Sequence, residues 1–308
     1  MQRKDRIDAF GAIALIGFSA FLGVNQVIIK VVNEGLQPVF WAGLRSLGAV
    51  PVLWLMLRMR GERLVLARAT WAGGIGMGIA FTFEFLLLFL ALDLTTVIRS
   101  TVIFYSMPVW FGIAAHFLLP GERLTTRRLA GLLIAFFGVA TAIVGRDGAA
   151  GQGNLAGDLC ALGASMAWAG MALCARGTMV REVSPETQLM WQVGISAPIL
   201  LALSPLFGDL LREPQAIHWW GLGFQAVFVV ALGFSAWLWL LSVYPPASVA
   251  AFSFLSPVFG VAMGWLLLDE PLSPSMIGAL ALVAFGLFLI NRAPRVPEAA
   301  AQVPQKVR

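Results

Sequence analysis

Three ionisable side chains stand inside long apolar stretches of the sequence: Arg45, Glu84 and Arg99. A charge in hydrocarbon costs from about 2.5 kcal/mol upward, so such a group normally faces a cavity or a partner of opposite charge. Counted at about 1.5 Å per residue from the outer ends of the predicted helices, Glu84 lies roughly 12 Å deep, Arg45 roughly 10 Å and Arg99 roughly 6 Å. We therefore expect Glu84 to face inward with Arg45 or Arg99 as its partner.

Uncharged polar residues extend this layer. Asn25 and Gln26 lie roughly 10 Å deep by the same count, and Gln225 of the eighth predicted helix lies about as deep as Arg45. In one interpretation the layer is the outer wall of a permeation path, where Arg45 holds a substrate carboxylate and Glu84 holds an amino group or a proton. In the other, Glu84 and an arginine form a permanent bridge that fixes the packing of the second to fourth helices.

Aromatic residues surround the same layer. Trp168 stands beside Gly170, whose counterpart in the first helix is Gly23, and glycines at these positions allow close backbone approach or a hinge. A cavity of aromatic residues with few charges suits amphipathic or aromatic solutes, although packing or lipid contact explains each residue taken singly. The candidates for the substrate cavity are Asn25, Gln26, Trp41, Arg45, Phe81, Glu84, Phe85, Arg99, Tyr105, Trp168, Gln192 and Gln225.

The composition decides which elements carry these residues. Hydrophobic residues make up 59% and charged residues 12% of the 308-residue chain, against roughly 45–50% and about 25% in soluble proteins. A span needs about 20 apolar residues, and the chain divides into ten such stretches. We predict spans at 8–32, 38–59, 69–93, 95–119, 125–146, 155–179, 185–206, 217–243, 247–268 and 273–291, with a disordered tail at 293–308. The predicted fold is an all-α membrane protein.

The basic residues predict the orientation. Lys and Arg gather in the cytoplasmic loops of inserted proteins. Of the 21 basic residues, 16 fall on the side of the N-terminus, 3 on the opposite side and 2 inside spans. Both termini are therefore expected in the cytoplasm. The net charge of +5 is spread over loops between spans, which indicates attraction to the inner leaflet rather than nucleic-acid binding.

The second half of the sequence repeats the first. Each half holds five predicted helices, at residues 1–146 and 147–292, and an odd number reverses the orientation of the second copy. Two homologous bundles of opposite orientation are the architecture of alternating access around a site near the midplane. Duplication kept only for stability is the other interpretation. Shifts of 147 and 148 residues superpose Gly23 on Gly170, Pro38 on Pro185, Arg45 on Gln192, Glu122 on Glu270 and Gly138 on Gly286.

Two prolines occupy equivalent places in the repeat. A shift of 149 residues superposes Pro108 on Pro257, and a proline inside a helix removes one hydrogen bond and bends the helix. We expect equivalent bends in the fourth and ninth helices. They serve either as gating elements, together with Gly23 and Gly170, or as fixed kinks needed for packing.

The segments FLALDLTTVIRSTVIFYSMPVWFGIAAHFLLPGERLTTRRLAGLLIAFFGV (89–139) and PPASVAAFSFLSPVFGVAMGWLLLDEPLSPSMIGALALVAFG (245–286) resemble the drug/metabolite transporter superfamily, in its ten-helix EamA-type branch. Within that branch the chain is most similar to bacterial aromatic amino-acid exporters. The resemblance covers residues 8–291 and implies export across the inner membrane through a central cavity, with the fifth and tenth helices peripheral. Phe21 departs from the Trp that the family often carries in its first helix, whereas its counterpart Trp168 keeps the aromatic ring.

The sequence lacks the residues that several other functions require. The sequence has no phosphate-binding P-loop and no HExxH or Ser/His/Asp constellation, so an ATP-driven pump or an intramembrane enzyme is not expected. We expect neither metal nor cofactor. The predicted function is that of a monomeric inner-membrane exporter of small amphipathic metabolites, amino acids and aromatic ones included, with or without protons as the coupling ion. The alternatives are an exporter of nucleosides or cationic drugs with the same fold, or a membrane scaffold.

Overall fold

The computed structural model of the chain describes residues 7–119, 124–145, 154–233, 240, 243–244, 249, 252 and 255–291. Helices account for the regular structure of these residues, and pairing of the β type is limited there to one isolated bridge between Leu36 and Leu211. The prediction of an all-α protein is confirmed over this part of the chain. The predicted tail at 293–308 lies outside it.

Eleven α-helices follow one another along the described residues. They are α1 (Ala9–Gly35), α2 (Pro38–Met59), α3 (Trp71–Leu94), α4 (Val97–Phe104), α5 (Met107–Leu118), α6 (Thr126–Val144), α7 (Leu155–Gly177), α8 (Pro185–Leu203), α9 (Ala216–Phe224), α10 (Leu255–Leu268) and α11 (Pro274–Asn291). A π-helical run, Gln225–Gly233, continues α9 directly. Side chains cap several starts: Asp8 accepts the backbone N–H of Gly11 ahead of α1, and Ser184 accepts that of Thr187 ahead of α8.

Seven segments of the described residues are long and apolar enough to cross a membrane. They are Ala9–Gly35, Pro38–Met59, Arg68–Leu94, Val97–Leu118, Thr126–Val144, Leu155–Gly177 and Pro185–Phe207, and they coincide with the first seven predicted spans within a few residues. Three shorter apolar helices, Ala216–Val230, Leu255–Leu268 and Pro274–Ile290, occupy the places of the other three. Residues 234–239 of the predicted eighth span lie outside the described part, so the count of ten stays a prediction.

The fourth span is interrupted rather than bent. Helix α4 ends at Phe104, and α5 begins at Met107 with Pro108 in its first turn. Pro108 has no N–H to donate to the preceding turn, and the first turn of a helix needs no such donor. At Pro108 the expected bend is therefore the start of a new helix. Its counterpart Pro257 lies in α10, but residues 253–254 are outside the described part of the chain, so a bend at Pro257 stays a prediction.

Large apolar side chains lie on both the inside and the outside of the bundle. Trp41, Phe89, Leu92 and Ile103 are fully buried in the main core. Others face outward, namely Ile13, Trp54, Leu55, Phe117, Phe137, Val144 and Trp220, each at least half exposed. A surface with so many large apolar side chains is unsuited to water and suited to lipid.

Helices α6 and α11 cross in contact at glycines. A Cβ atom added at Gly131 would lie 2.8 Å from the carbonyl oxygen of Gly286, and one added at Gly138 would lie 2.9 Å from that of Ala279. The earlier residue of α6 thus meets the later residue of α11, so the two helices are antiparallel. The 148-residue shift carries Gly131 onto Ala279 and Gly138 onto Gly286. Each contact is therefore the repeat image of the other, as at a twofold interface.

Candidate substrate site

Arg45 of α2 and Glu84 of α3 are buried together but do not bond to each other. They are 6% and 4% exposed. Among the described residues neither forms an ion pair, and Arg45 Nε and Glu84 Oε2 have no hydrogen-bond partner there. The guanidinium of Arg45 lies instead over the ring of Phe85, 4.2 Å from its centroid. Such a contact holds the plane of the guanidinium and leaves its edge free to donate.

An aromatic column on α3 lies beside this pair. Phe81 and Phe85 have ring centroids 4.4 Å apart, Phe85 and Phe89 5.6 Å, and Trp41 of α2 packs 4.3 Å from Phe89. Trp41 Nε1 donates to Asn33 Oδ1 at 2.7 Å, and Asn33 Nδ2 donates to the carbonyl of Phe89 at 3.0 Å. Trp41 is thus a fixed part of the core between α1, α2 and α3.

Gln225 and Asn25 form a second polar contact, between the second half and α1. Gln225 Nε2 donates to Asn25 Oδ1 at 2.5 Å. The oxygen Oε1 of Gln225 and that of Gln26 are buried without a hydrogen-bond partner in the described structure. A Cβ atom at Gly48, one turn from Arg45, would lie 3.2 Å from the Cβ of Ala226, next to Gln225. Helix α2 therefore lies between Glu84 on one side and Gln225 on the other.

Arg99 does not pair with Glu84. Its Nη2 donates to Asp158 Oδ2 at 2.5 Å and its Nε to Asp158 Oδ1 at 3.1 Å, while Nη1 donates to the carbonyl of Gly145. Thr95 adds a hydroxyl bond to the same carboxylate at 3.2 Å. The expected alternative partner for Glu84 is thus wrong: Arg99 is engaged with the first turn of α7. Sequence reasoning missed Asp158, although an acidic residue is favoured at a helix start by the helix dipole.

The remaining candidates surround the layer at different depths. Tyr105 is buried directly after α4, Gln192 is buried on α8, and Trp168 is half-buried against the main core. The two glycines of the proposed hinge differ. A Cβ at Gly23 would lie 2.8 Å from the backbone of Phe259, so α1 and α10 touch there, whereas the nearest neighbour of Gly170 is Ala80 at 4.0 Å.

The two halves are also joined at the end of the bundle that holds the C-terminus of α3. The carboxylate of Glu270 accepts the backbone N–H groups of Val97 and Ile98 at 2.7 and 2.8 Å, at the start of α4. Lys30 donates to the carbonyl of Thr95 at 2.7 Å. Burial raises the pKa of Glu270 above its ordinary value, while the two N–H groups and Lys30 act in the opposite direction. At the other end, Arg60 forms an ion pair with Glu186.

An apolar groove lies between α1 and α9. Its volume is about 630 Å³, and it is lined by Val27, Ile28, Val31, Val32, Ile217, Trp220, Gly221, Gly223, Phe224, Val227 and Phe228. Under the 147-residue shift this interface corresponds to that between α3 and α7. There a Cβ at Gly76 would lie 3.1 Å from Cys174 Sγ, whereas at the counterpart Gly223 nothing lies within 4 Å. The two equivalent interfaces are therefore packed differently at this position, although α1 and α9 do touch at Gly221, where a Cβ would meet Val32 Cγ2.

Comparison with known proteins identifies the family. A sequence model of the EamA-like transporter family matches the chain twice, over residues 9–144 and 155–292. The chain is 28% identical to an Escherichia coli protein named "Probable amino-acid metabolite efflux pump", over 94% of this chain and 95% of that protein. It is 27% identical to the uncharacterized transporter YvbV of Bacillus subtilis, over 91% and 90%. It is 26% identical to the uncharacterized inner membrane transporter YedA of Escherichia coli, over 94% and 93%.

The fold is also similar to that of a protein solved by crystallography. The TM-score is 0.64 at 21% sequence identity, covering 91% of this chain and 97% of the other. The match of the family model to both halves confirms, at the level of the family, the resemblance seen in residues 89–139 and 245–286. The chain belongs to the EamA-like transporter family of the drug/metabolite transporter superfamily and is a multi-pass membrane transporter.

Proposed function

We propose that the protein exports small amphipathic metabolites, amino acids and aromatic ones among them, across the bacterial inner membrane by alternating access. The proposal includes ten spans arranged as two inverted five-helix repeats, residues 1–146 and 147–292, with both termini in the cytoplasm. The names of the relatives favour export, an inner-membrane location and an amino-acid metabolite as cargo. The double match of the family, once in each half, supports the division into two repeats.

The antiparallel crossing of α6 and α11 supports the inversion. A repeat in the same orientation would relate the two helices by an axis along the membrane normal and bring them together in parallel. The paired contacts of Gly131 with Gly286 and of Gly138 with Ala279 fit an axis in the membrane plane instead.

The observation that carries the proposal is the unequal packing of equivalent interfaces. Gly76 lies against Cys174, while their counterparts Gly223 and Val27 line an open groove. Alternating access requires that two related halves adopt different conformations at one time and exchange them. A scaffold duplicated only for stability has no need of this difference.

The proposed site lies where both halves contribute buried polar atoms that have no hydrogen-bond partner among the described residues. Arg45, Glu84 and Gln26 come from the first half and Gln225 from the second. Unpaired buried polar groups are costly, so they are expected to meet substrate or water during transport.

Counterflow into vesicles reconstituted with the purified protein tests this function. Vesicles preloaded with amino acids, nucleosides or cationic drugs are tested for uptake of the matching labelled solute at two pH gradients. The expected result is saturable, solute-dependent exchange for amino acids. Exchange of only nucleosides or drugs would assign another cargo, and a conductance without saturation would indicate a channel. Absence of exchange for every solute would contradict the proposal.

A further inference from the structure

Two buried Arg–carboxylate pairs in this protein have opposite geometries. Arg99 and Asp158 close on each other through two hydrogen bonds, and further bonds from Thr95 and to Gly145 leave this pair well satisfied. Arg45 and Glu84 are also buried yet remain apart, and each keeps an atom that lacks a hydrogen-bond partner in the described structure. A pair that serves only packing is expected to close as the first pair does, because an unpaired buried charge is unfavourable. The unpaired Arg45 and Glu84 therefore indicate a ligand that carries both a negative and a positive group.

The orientation of Arg45 indicates which charge it holds. One face of its guanidinium is covered by Phe85, and Phe89 lies further along at 5.8 Å. The unpaired Nε belongs to the edge of the guanidinium, which donates two parallel N–H groups and matches a carboxylate in a bidentate contact. Phe85 is thus a positioning residue that holds this edge in place.

Glu84 supplies the opposite charge. It precedes Phe85 on α3, and its unpaired Oε2 accepts hydrogen bonds but cannot donate them when ionised. An ammonium group, which only donates, is its complement. Arg45 packs 4.2 Å from the ring centroid of Phe85, the residue that follows Glu84 on α3. The two charged residues therefore belong to the same part of the interface between α2 and α3, and we expect one small molecule to contact both.

An apolar cluster continues from this pair toward the Met59 end of α2. It contains buried Ala49, Leu53, Phe81, Leu189 and Val193, with Met171 and Met190 packed against it. Methionines adapt to side chains of different shape, and Phe81 adds an aromatic surface. A ligand whose head group lies at Arg45 and Glu84 would therefore have this apolar and aromatic cluster as the neighbour of its side chain.

We propose that Arg45 and Glu84 bind the carboxylate and the ammonium group of one zwitterionic amino acid, whose apolar or aromatic side chain lies on the Phe81 cluster. This inference rests on the proposed transport function and adds the atoms that select the substrate. Both charged groups of the ligand are required, so a molecule that lacks either one is expected to be rejected.

Phenylalanine and three of its relatives test the inference. Phenylalanine amide lacks the carboxylate, 3-phenylpropionate lacks the ammonium group, and phenethylamine lacks the carboxylate while keeping the amine. Binding to the purified protein in detergent is measured by calorimetry, and counterflow of labelled phenylalanine is measured in vesicles. Phenylalanine is expected to bind and exchange, and each relative is expected to bind at least tenfold more weakly.

Conservative variants show which residue binds the carboxylate and which binds the ammonium group of the ligand. Arg45→Lys keeps the positive charge but loses the second N–H donor of the guanidinium edge. It is expected to weaken the binding of phenylalanine at least tenfold and to leave the binding of phenylalanine amide unchanged. Glu84→Gln is expected to weaken the binding of phenylalanine to a similar extent and to leave the binding of 3-phenylpropionate unchanged. Gln188→Ala is the matched control, because Gln188 lies on α8 and donates to the carbonyls of Val180 and Val183. The Gln188→Ala variant is expected to keep the preference for phenylalanine over its three relatives. Monodisperse elution of each variant on size exclusion establishes folding.

The outcomes separate the two proposals. Exchange of phenylalanine with equal binding of the amide or of 3-phenylpropionate, or with unchanged selectivity in both variants, would overturn the zwitterion site and leave transport standing. Selective binding of phenylalanine without exchange in vesicles would support the site and contradict the exporter. Neither binding nor exchange of any amino acid would overturn both. If Arg45→Lys does not fold, the ligand series on the unmodified protein decides alone.

Discussion

Asp158, in the first turn of α7, binds Arg99 of α4 through both of its carboxylate oxygens, at 2.5 and 3.1 Å. The first residue belongs to the second half of the sequence and the other to the first half. The two side chains are essentially inaccessible. A buried charge of this kind is tolerated only with its partner, so the pair fixes how the two halves meet.

Asp158→Asn is therefore expected to destabilise the protein strongly. Removal of one partner of a buried ion pair typically costs roughly 3–5 kcal/mol, because the other charge stays buried and unpaired. The measurement is the thermal midpoint of the purified protein in detergent. Glu182→Gln is the control, since Glu182 pairs with Arg181 at the surface and such pairs contribute about 1 kcal/mol or less. An equal midpoint for both variants would contradict a structural role for the buried pair.

Glu270 predicts a pH dependence of stability. Its pKa is raised above the ordinary 4.5, with burial as the largest cause. A raised pKa in the folded state means that the contribution of Glu270 is fully present below the ordinary value and is lost as the pH rises through the raised value. The midpoint of the unmodified protein minus that of Glu270→Gln is expected to fall as the pH rises above 4.5. A difference that is constant, or that grows with pH, would contradict this sign.

The crossing of α6 and α11 predicts which glycine tolerates a side chain. Gly286→Leu would drive the new side chain into the backbone of Gly131, 2.6 Å from a Cβ at this position. Overpacking typically costs about 1–3 kcal/mol, so a lower thermal midpoint is expected. Gly278→Leu on the same helix is the control, since nothing lies within 4 Å of its Cβ. Similar midpoints for the two variants would argue against the close crossing.

Cross-linking tests the unequal interfaces. In a background with Cys160→Ser, Gly76→Cys places a thiol beside native Cys174, where the Cβ-to-Sγ distance is 3.1 Å. Mild oxidation is expected to join the two, and a maleimide reagent measures the loss of free thiols. The equivalent pair, Val27→Cys with Gly223→Cys in a background without native cysteines, is expected to react at least tenfold more slowly. Equal rates for both pairs, with or without substrate, would count against alternating access.

Much of the fold was predictable from periodic and compositional features of the sequence. Long apolar runs fix the helices because a backbone in lipid must satisfy its own hydrogen bonds. The placement of Arg45 and Glu84 in a common buried layer also followed from their depth, since both must avoid lipid. The proline at position 108 marked a discontinuity, but a single missing N–H is compatible with either a bend or a break.

Which charged residues form ion pairs could not be predicted from the sequence. Depth made Arg99 a plausible partner for Glu84, whereas its actual partner, Asp158, lies 59 residues away along the chain. Such pairing depends on how α4 turns about its axis and on which helix packs beside it, and neither leaves a local pattern. Likewise, Gly76 and Gly223 are equivalent in the sequence, and only the packing of their neighbours makes the first position filled and the second open. The sequence therefore determined the helices, the repeat and the buried polar layer, because these follow from local chemistry and spacing. The tertiary structure decided which buried charges form ion pairs and which stay unpaired, because pairing depends on contacts between distant segments.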